Sequence, residues 1–240
     1  MLKISIVIPT LNEENYLGLI LKDLEKQTLK PYQVIVIDGN SKDETAKIAR
    51  KFRAKLIKTG RGVGLQRTAG AKIAAGDLVY FFDADVRINK NFLHDTSATF
   101  IKNNLDIAIP LYVPFKSTVP IRLIYQFFNI LFFITQHLTP SGAGSGIIVK
   151  NTIFKKAGYF KHDLTYDDIE FIRRVASRHK FGIIKETLFV SDRRFRKYGV
   201  VKMLALYLIL SLFFLTGQFR LANFIKYSFG SFSNTVMKNT

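Results

Sequence analysis

Val79-Tyr80-Phe81-Phe82 is an uninterrupted apolar run that ends on Asp83-Ala84-Asp85. A strand with no polar alternation is buried on both faces, which is the habit of parallel sheets covered by helices. Two carboxylates at its C-terminal end stand where open α/β sheets place their ligands. A turn beginning at Asp83 aims both at one hard cation, which prefers oxygen ligands. The plainer alternative is that they open a turn and cap a helix starting near Asn89. Ile4-Ser5-Ile6-Val7-Ile8 and Val34-Ile35-Val36-Ile37 are further runs of strand type. Each is followed by a helical pattern, first Tyr16, Leu17, Ile20, Leu21 and Leu24, then Ala46, Ile48, Ala49 and Phe52. Asn12 is the expected cap of the first helix, and Ser41-x-x-Glu44 reads as a capping box for the second. Strand, helix, strand, helix is the rhythm of a parallel α/β sheet.

Lys55 to Lys58 makes a short third strand, and Gly60-Arg61-Gly62-Val63-Gly64 precedes a helix over Leu65 to Ala75. The glycine spacing does not fit the dinucleotide fingerprint, so the segment is either a flexible loop beside a donor pocket or ordinary turn chemistry. A helix from about Asn89 to Lys102 and a strand over Leu105 to Ile109 follow. Val119 to Leu138 then sets Arg122, Gln126, Asn129 and Gln136 on one helical stripe, with Ile121, Ile124, Tyr125, Phe128 and Phe132 opposite. Polar side chains recur too often there for a lipid span, yet the aromatic content suits a helix lying on something apolar. After the glycine-rich stretch Ser141 to Gly146 come strand Ile147 to Val149 and a short helix capped by Asn151. Asp167, Asp168 and Glu170 fall in the first turn of the next helix, where the helix dipole favours acids. Ile183-Ile184 and Leu188 to Val190 read as two short strands, and Ser191 to Gly199 as a strongly basic turn.

Met203 to Gly217 is the most apolar segment and falls short of the roughly 20 residues that a spanning helix needs. We expect it to lie half-sunk in a membrane interface, continued by Phe219-Arg220 and Phe224 to Tyr227, with a frayed tail over 231–240. The net charge is +18, and residues 111–240 carry 19 Lys/Arg against 6 Asp/Glu while residues 1–110 carry 17 against 12. That asymmetry points to an anionic surface. The apolar runs beside it favour lipid headgroups, so an anionic membrane and not nucleic acid is the expected partner. The chain has no cysteine, which excludes disulfides, thiolate metal sites and thiol nucleophiles. No basic, apolar and small-residue leader pattern opens it, and the expected location is the cytoplasmic face of the membrane, peripherally bound.

Four motifs in order, Ile6 to Glu13, Val36 to Ser41, Gly76-Asp77 leading to Asp83-Ala84-Asp85, and Asp167 to Phe171, resemble those of the family 2 glycosyltransferases with the GT-A fold. The resemblance covers about Ile4 to Gly199. It implies a GT-A domain over 1–200, with the 119–138 helix inserted and membrane-associating helices over 201–230. It further implies a nucleotide pocket lined by Pro9, Thr10 and Glu13, with Asp38 on the base. Asn12, Gly39, Arg67 and Ala84 fall within or beside the same motifs and join the nucleotide-sugar site. Asp83 would face ribose and metal, Asp85 would bind Mg²⁺ or Mn²⁺, and Asp168 would be the general base. Two positions depart from the family pattern: Asp167 stands where Glu is commoner, and Thr68 where Asn often follows the arginine. The basic turn resembles part of the dolichyl-phosphate mannose synthases, implying that Arg193, Arg194, Lys197 and Lys202 grip phosphate around Gly199, with Asp167 on the acceptor side. The alternative for these residues is a headgroup patch without a catalytic role.

The implied activity is inverting, metal-dependent transfer of a sugar from a UDP- or GDP-sugar to a hydroxyl of a lipid-linked acceptor. Two alternatives stand beside it: a polyprenyl-phosphate acceptor, and an inactive membrane scaffold.

Overall fold

The computed structural model describes residues 2–223. Seven strands form one sheet: β1 (Ile4–Thr10), β2 (Gln33–Asp38), β3 (Lys55–Lys58), β4 (Leu78–Phe81), β5 (Ile107–Pro114), β6 (Ile147–Lys150) and β7 (Phe181–Val190). Their spatial order is β3-β2-β1-β4-β6-β5-β7. All neighbours are parallel except β6, which runs antiparallel to both β4 and β5. The ten helices among the described residues are α1 (Leu17–Glu25), α2 (Thr45–Lys51), α3 (Val63–Lys72), α4 (Phe92–Lys102), α5 (Val119–Thr135), α6 (Asn151–Ala157), α7 (Asp167–Ala176), α8 (Arg193–Tyr198), α9 (Val200–Leu215) and α10 (Phe219–Ala222). The mostly parallel α/β sheet is the expected fold class.

The apolar runs behave as their composition requires. Every residue of β1 and β4 is buried. Tyr80, Phe81 and Phe82 are among the largest fully buried side chains, and Phe81 meets Phe154 and Phe160 in ring contacts. The chain lays β2 and β3 outward on one side of β1 and then places β4 on its other side. Between β1 and β4 the winding therefore reverses, and a crevice opens at the C-terminal strand ends, where such sheets bind ligands.

Several local expectations change. Asn12 does not cap α1, which starts four residues after Glu13 behind Tyr16. Asn12 instead takes a left-handed conformation (φ 54°), which asparagine tolerates, and laces two loops together. Its N–H donates to Ser41 Oγ at 2.9 Å, and its side-chain oxygen accepts from Lys42 N–H at 2.9 Å. Ser41 forms no capping box with Glu44, because its hydroxyl and N–H are both given to Asp38. Asn151 is no cap either: its amide donates to the carbonyls of Ala74 and Gly76 at 2.9 and 2.8 Å. The helix expected from Asn89 starts at Phe92. The strand expected to stop at Ile109 continues to Pro114, and the two strands expected between Ile183 and Val190 are one, with a register shift opposite Pro110 and Leu111.

Asn129 departs from the polar stripe of α5. Its side chain reaches the edge of β5, accepting from Tyr112 N–H at 3.0 Å and donating to Tyr112 C=O at 2.7 Å. One amide thus replaces a strand neighbour and fixes the helix to the sheet. The outer face of α5 stays apolar and exposed at Leu123, Phe127, Ile130 and Ile134, as does that of α9 at Leu208, Ile209 and Leu212. Among the described residues no helix is long and apolar enough to cross a membrane. The expected continuation over Phe224 to Tyr227 and the tail over 231–240 lie outside the described residues.

Candidate active site

The crevice gathers polar side chains from three strand ends and one helix. Thr10 closes β1 and Asp38 closes β2; Asp83 and Asp85 follow β4; Asp168 sits in the first turn of α7. Asp38 is fully buried, with its carboxylate accepting both N–H and hydroxyl bonds from Ser41. Gly39 follows it where a Cβ would press on the Gln66 amide and Thr10 C=O, at 3.1 and 3.3 Å. Gln66 explains that crowding: its amide nitrogen donates to the carbonyls of Thr10 and Ile37 at 2.8 and 2.7 Å, pinning the ends of β1 and β2. No sequence pattern flags Gln66, since a buried amide between two strand ends has no periodic signature.

Arg67 is the hub of the inner site. Its buried guanidinium donates to Asp83 Oδ1 at 3.1 Å, lies 3.6 Å from Asp167 Oδ1, and sits above the Phe160 ring at 5.7 Å. Burial works against the charge on Arg67, but Asp83, Asp167 and Asp168 more than offset it and hold its pKa above the usual value. Gly144 makes this possible, because any Cβ there would run into the guanidinium. Gly64 serves the same end on the other side: it lies inside α3, and a Cβ would collide with the Asp167 carboxylate. The glycine-rich segment that runs into α3 thus admits a buried acid, where the sequence left a flexible loop and ordinary turn chemistry both open.

Asp168 belongs to the cavity, and Asp167 to Arg67. Asp168 accepts from the N–H groups of Ile169, at 2.9 Å, and Gly144. Burial pushes its pKa up and Asp83 adds to the rise, while Arg67 pulls the other way. Burial likewise raises Asp167, to about 7, against the pull of Arg67. Asp83 N–H donates to Ser145 Oγ at 3.1 Å, so the stretch Ser141 to Gly146 positions the carboxylate turn from behind.

Arg193 is not placed as the sequence suggested. It reaches across from α8 to Glu13, donating through both terminal nitrogens at 2.9 and 2.7 Å, and its Nε lies 2.8 Å from Asp85 Oδ2. The ring of Tyr16 lies beneath it at 4.9 Å. A cationic group therefore already occupies Asp85, which is the donor chemistry that a hard divalent ion would also seek. Burial raises the pKa of both acids, with Arg193 opposing it in each. Arg194 faces the cavity and bonds the Tyr207 hydroxyl. Lys197 and Lys202 are exposed and stand over the Tyr198 ring at 5.4 and 5.7 Å, apart from the cavity wall. Among the described residues no group of three or more His, Cys, Asp or Glu converges as a self-sufficient metal site.

The profile described as Glycosyl transferase family 2 matches residues 5–160. The chain belongs to that family. It is 35% identical over 118 residues to poly(ribitol-phosphate) beta-N-acetylglucosaminyltransferase TarS of Staphylococcus aureus, a match covering 45% of this chain and 21% of TarS. It is 37% identical over 94 residues to 4,4'-diaponeurosporenoate glycosyltransferase of Staphylococcus haemolyticus, covering 36% of this chain and 25% of that one. These matches span only about a fifth to a quarter of the curated relatives. The fold agrees over more of the chain. The structure of S. aureus TarS residues 1–349 with UDP-GlcNAc superposes with a TM-score of 0.65 at 22% identity, covering 80% of this chain and 59% of that one. The mannosyltransferase of Pyrobaculum calidifontis with GDP-Man and Mn²⁺ gives 0.67 at 19%, covering 79% and 57%. Both are matched by this family 2 chain in the GT-A arrangement of the sheet.

Proposed function

We propose that the chain transfers a sugar, with inversion, from a nucleotide diphosphate donor to a hydroxyl of a lipid-linked acceptor at an anionic membrane surface. The observation that carries this reading is the lining of one cavity by Asp83, Asp85 and Asp168 together. Two acids at a strand end suit the donor side, and a third, raised by burial, suits proton removal from an incoming hydroxyl. The donors in the two superposed structures, UDP-GlcNAc and GDP-Man, support a nucleotide-sugar here.

Asp83 and Asp85 would hold a divalent cation, with diphosphate oxygens completing its shell; the Mn²⁺ in the mannosyltransferase structure supports this. When bound, such an ion offsets the charge that develops on the diphosphate leaving group. The residues of the chain do the rest. Arg67 fixes Asp83, Gly144 N–H orients Asp168, and an Asp168 oxygen receives the hydroxyl proton. Arg193 lies on Asp85 and Glu13, so for Asp85 to hold a cation that guanidinium would have to leave the carboxylate. Arg194 in the same cavity favours a second reading, in which the acceptor is a polyprenyl phosphate that brings its own negative charge.

The exposed apolar faces of α5 and α9, with Arg122, Lys197 and Lys202 exposed around them, support a peripheral position on the cytoplasmic leaflet. Sedimentation with anionic vesicles is expected to weaken as salt rises, and alkaline carbonate is expected to release the protein. Retention in carbonate would show a spanning segment and overturn the peripheral assignment.

The enzymatic reading is tested by donor hydrolysis across UDP-, GDP- and TDP-sugars with Mg²⁺ or Mn²⁺. Hydrolysis of one donor class is expected, lost with EDTA and restored by added metal. No hydrolysis of any donor, with no nucleotide binding by calorimetry, would leave the inactive scaffold.

A further inference from the structure

The cavity that Asp83, Asp85 and Asp168 line is about 310 Å³, and two helices build much of its apolar side. From α5 come Ile124, Phe128 and Phe132, and from α9 come Tyr207, Leu210 and Phe214. Phe128 packs edge-on to Tyr207 at 5.7 Å, so the two helices share one aromatic wall. A sugar-binding wall would supply a hydroxyl or amide for each sugar hydroxyl. On these two helices the side-chain amide that lines the cavity, Asn129, is spent on Tyr112, and the hydroxyls of Thr135 and Ser211 donate to the carbonyls of Leu131 and Tyr207.

The volume lies at the low end of the roughly 300–1,000 Å³ of ligand pockets, enough for a segment of chain and not for a whole lipid. The same helices carry exposed apolar residues on their outer faces, at Phe127, Ile130, Leu208 and Ile209, so a chain leaving the cavity meets further apolar surface. Resting on the proposed transfer to a lipid-linked acceptor, we infer that this cavity holds the first part of the acceptor's own hydrocarbon chain, beside the transfer site. The reacting oxygen is then only a few bonds from the chain, as in a lipid alcohol or a lipid phosphate. A hydroxyl at the far end of a lipid-linked glycan does not fit this arrangement.

The chain contains no tryptophan, so one introduced indole is a clean reporter. Phe132→Trp places it in the cavity wall, and Ile134→Trp places it on the outer face, where Ile134 is 70% exposed. Chain-brominated alcohols and alkyl phosphates of six to ten carbons, kept below micelle formation, are titrated against the otherwise intact protein. Saturable quenching is expected at position 132 and not at 134. Affinity should rise about fourfold per added methylene until the cavity is filled. Phe214→Trp, on α9, repeats the measurement should Phe132→Trp disturb packing.

The two head groups separate the sources. Tighter binding of the phosphate, lost in Arg194→Ala, names a lipid phosphate; equal binding names the alcohol. Affinity that is flat with chain length, or quenching equal at 132 and 134, overturns the inference. The readout needs no donor and no turnover. Quenching without any sugar transfer would therefore overturn the transferase reading alone, and transfer to a lipid without quenching would overturn the cavity assignment alone.

Discussion

Asp168→Asn is expected to lower transfer to a hydroxyl acceptor by ~10²- to 10⁴-fold while leaving donor affinity nearly unchanged, the span that a positioned general base contributes. The substitution keeps the size of the side chain and its ability to accept from Ile169 and Gly144 N–H, and it removes the basicity together with the negative charge. The pH profile gives a second check. Burial raises the pKa of Asp168, so the base form is lost earlier on acidification than for an exposed aspartate. The wild-type rate should fall as pH drops through that raised pKa, and the residual rate of Asp168→Asn should lack that limb. A phosphate acceptor is anionic already and gains nothing from a base. Near-normal transfer by Asp168→Asn, together with loss in Arg194→Ala, would therefore assign the reaction to a polyprenyl phosphate.

Asp85→Ala should be at least as damaging, for a different reason. If a cation on Asp85 is worth several kcal/mol to the developing leaving-group charge, its loss amounts to ~10³-fold or more in rate. Calorimetry should show nucleotide affinity that no longer responds to Mg²⁺ or Mn²⁺. Arg193→Ala separates the two cations that compete for this carboxylate. With the Arg193 guanidinium gone from its place 2.8 Å from Asp85, metal should bind the donor-free protein more tightly, because nothing has to be displaced. Unchanged metal response in Asp85→Ala would remove Asp85 from the cation site.

The parts legible in the sequence are those where burial has a period. β1, β2 and β4 follow from uninterrupted apolar runs, and the acids that close or follow them inherit their position from the strand. Asp83 and Asp85 could be placed at a ligand crevice for that reason alone. The polar partnerships were not legible, because each joins residues with no local relationship. Arg193 meets Glu13 across 180 positions, and Arg67 meets Asp83 and Asp167 through a gap left by two glycines. Capping was misread for the same reason: Asn12, Ser41 and Asn151 have the right chemistry for helix ends but are claimed by tertiary partners. The apolar residues of α5 and α9 signalled a surface helix on something oily, without showing that their inner faces close a cavity over the carboxylates.

The antiparallel insertion of β6 also bears on how the chain is made. β5 touches no strand synthesised before it; its neighbours are β6 and β7. As the polypeptide leaves the ribosome, Ile107 to Pro114 must wait until residues 147–150 and then 181–190 have emerged, a delay on the order of 10 s at usual rates of synthesis. During that time an apolar segment is without its sheet partners, the condition under which nascent chains stick to one another. Pro110 and Pro114 lie within that segment, and each removes an N–H that a stray strand would otherwise pair with. Because the site draws on residues from Thr10 to Arg194, a translation product stopped before β7 carries Asp83 and Asp85 but neither the α8 arginines nor the α9 wall.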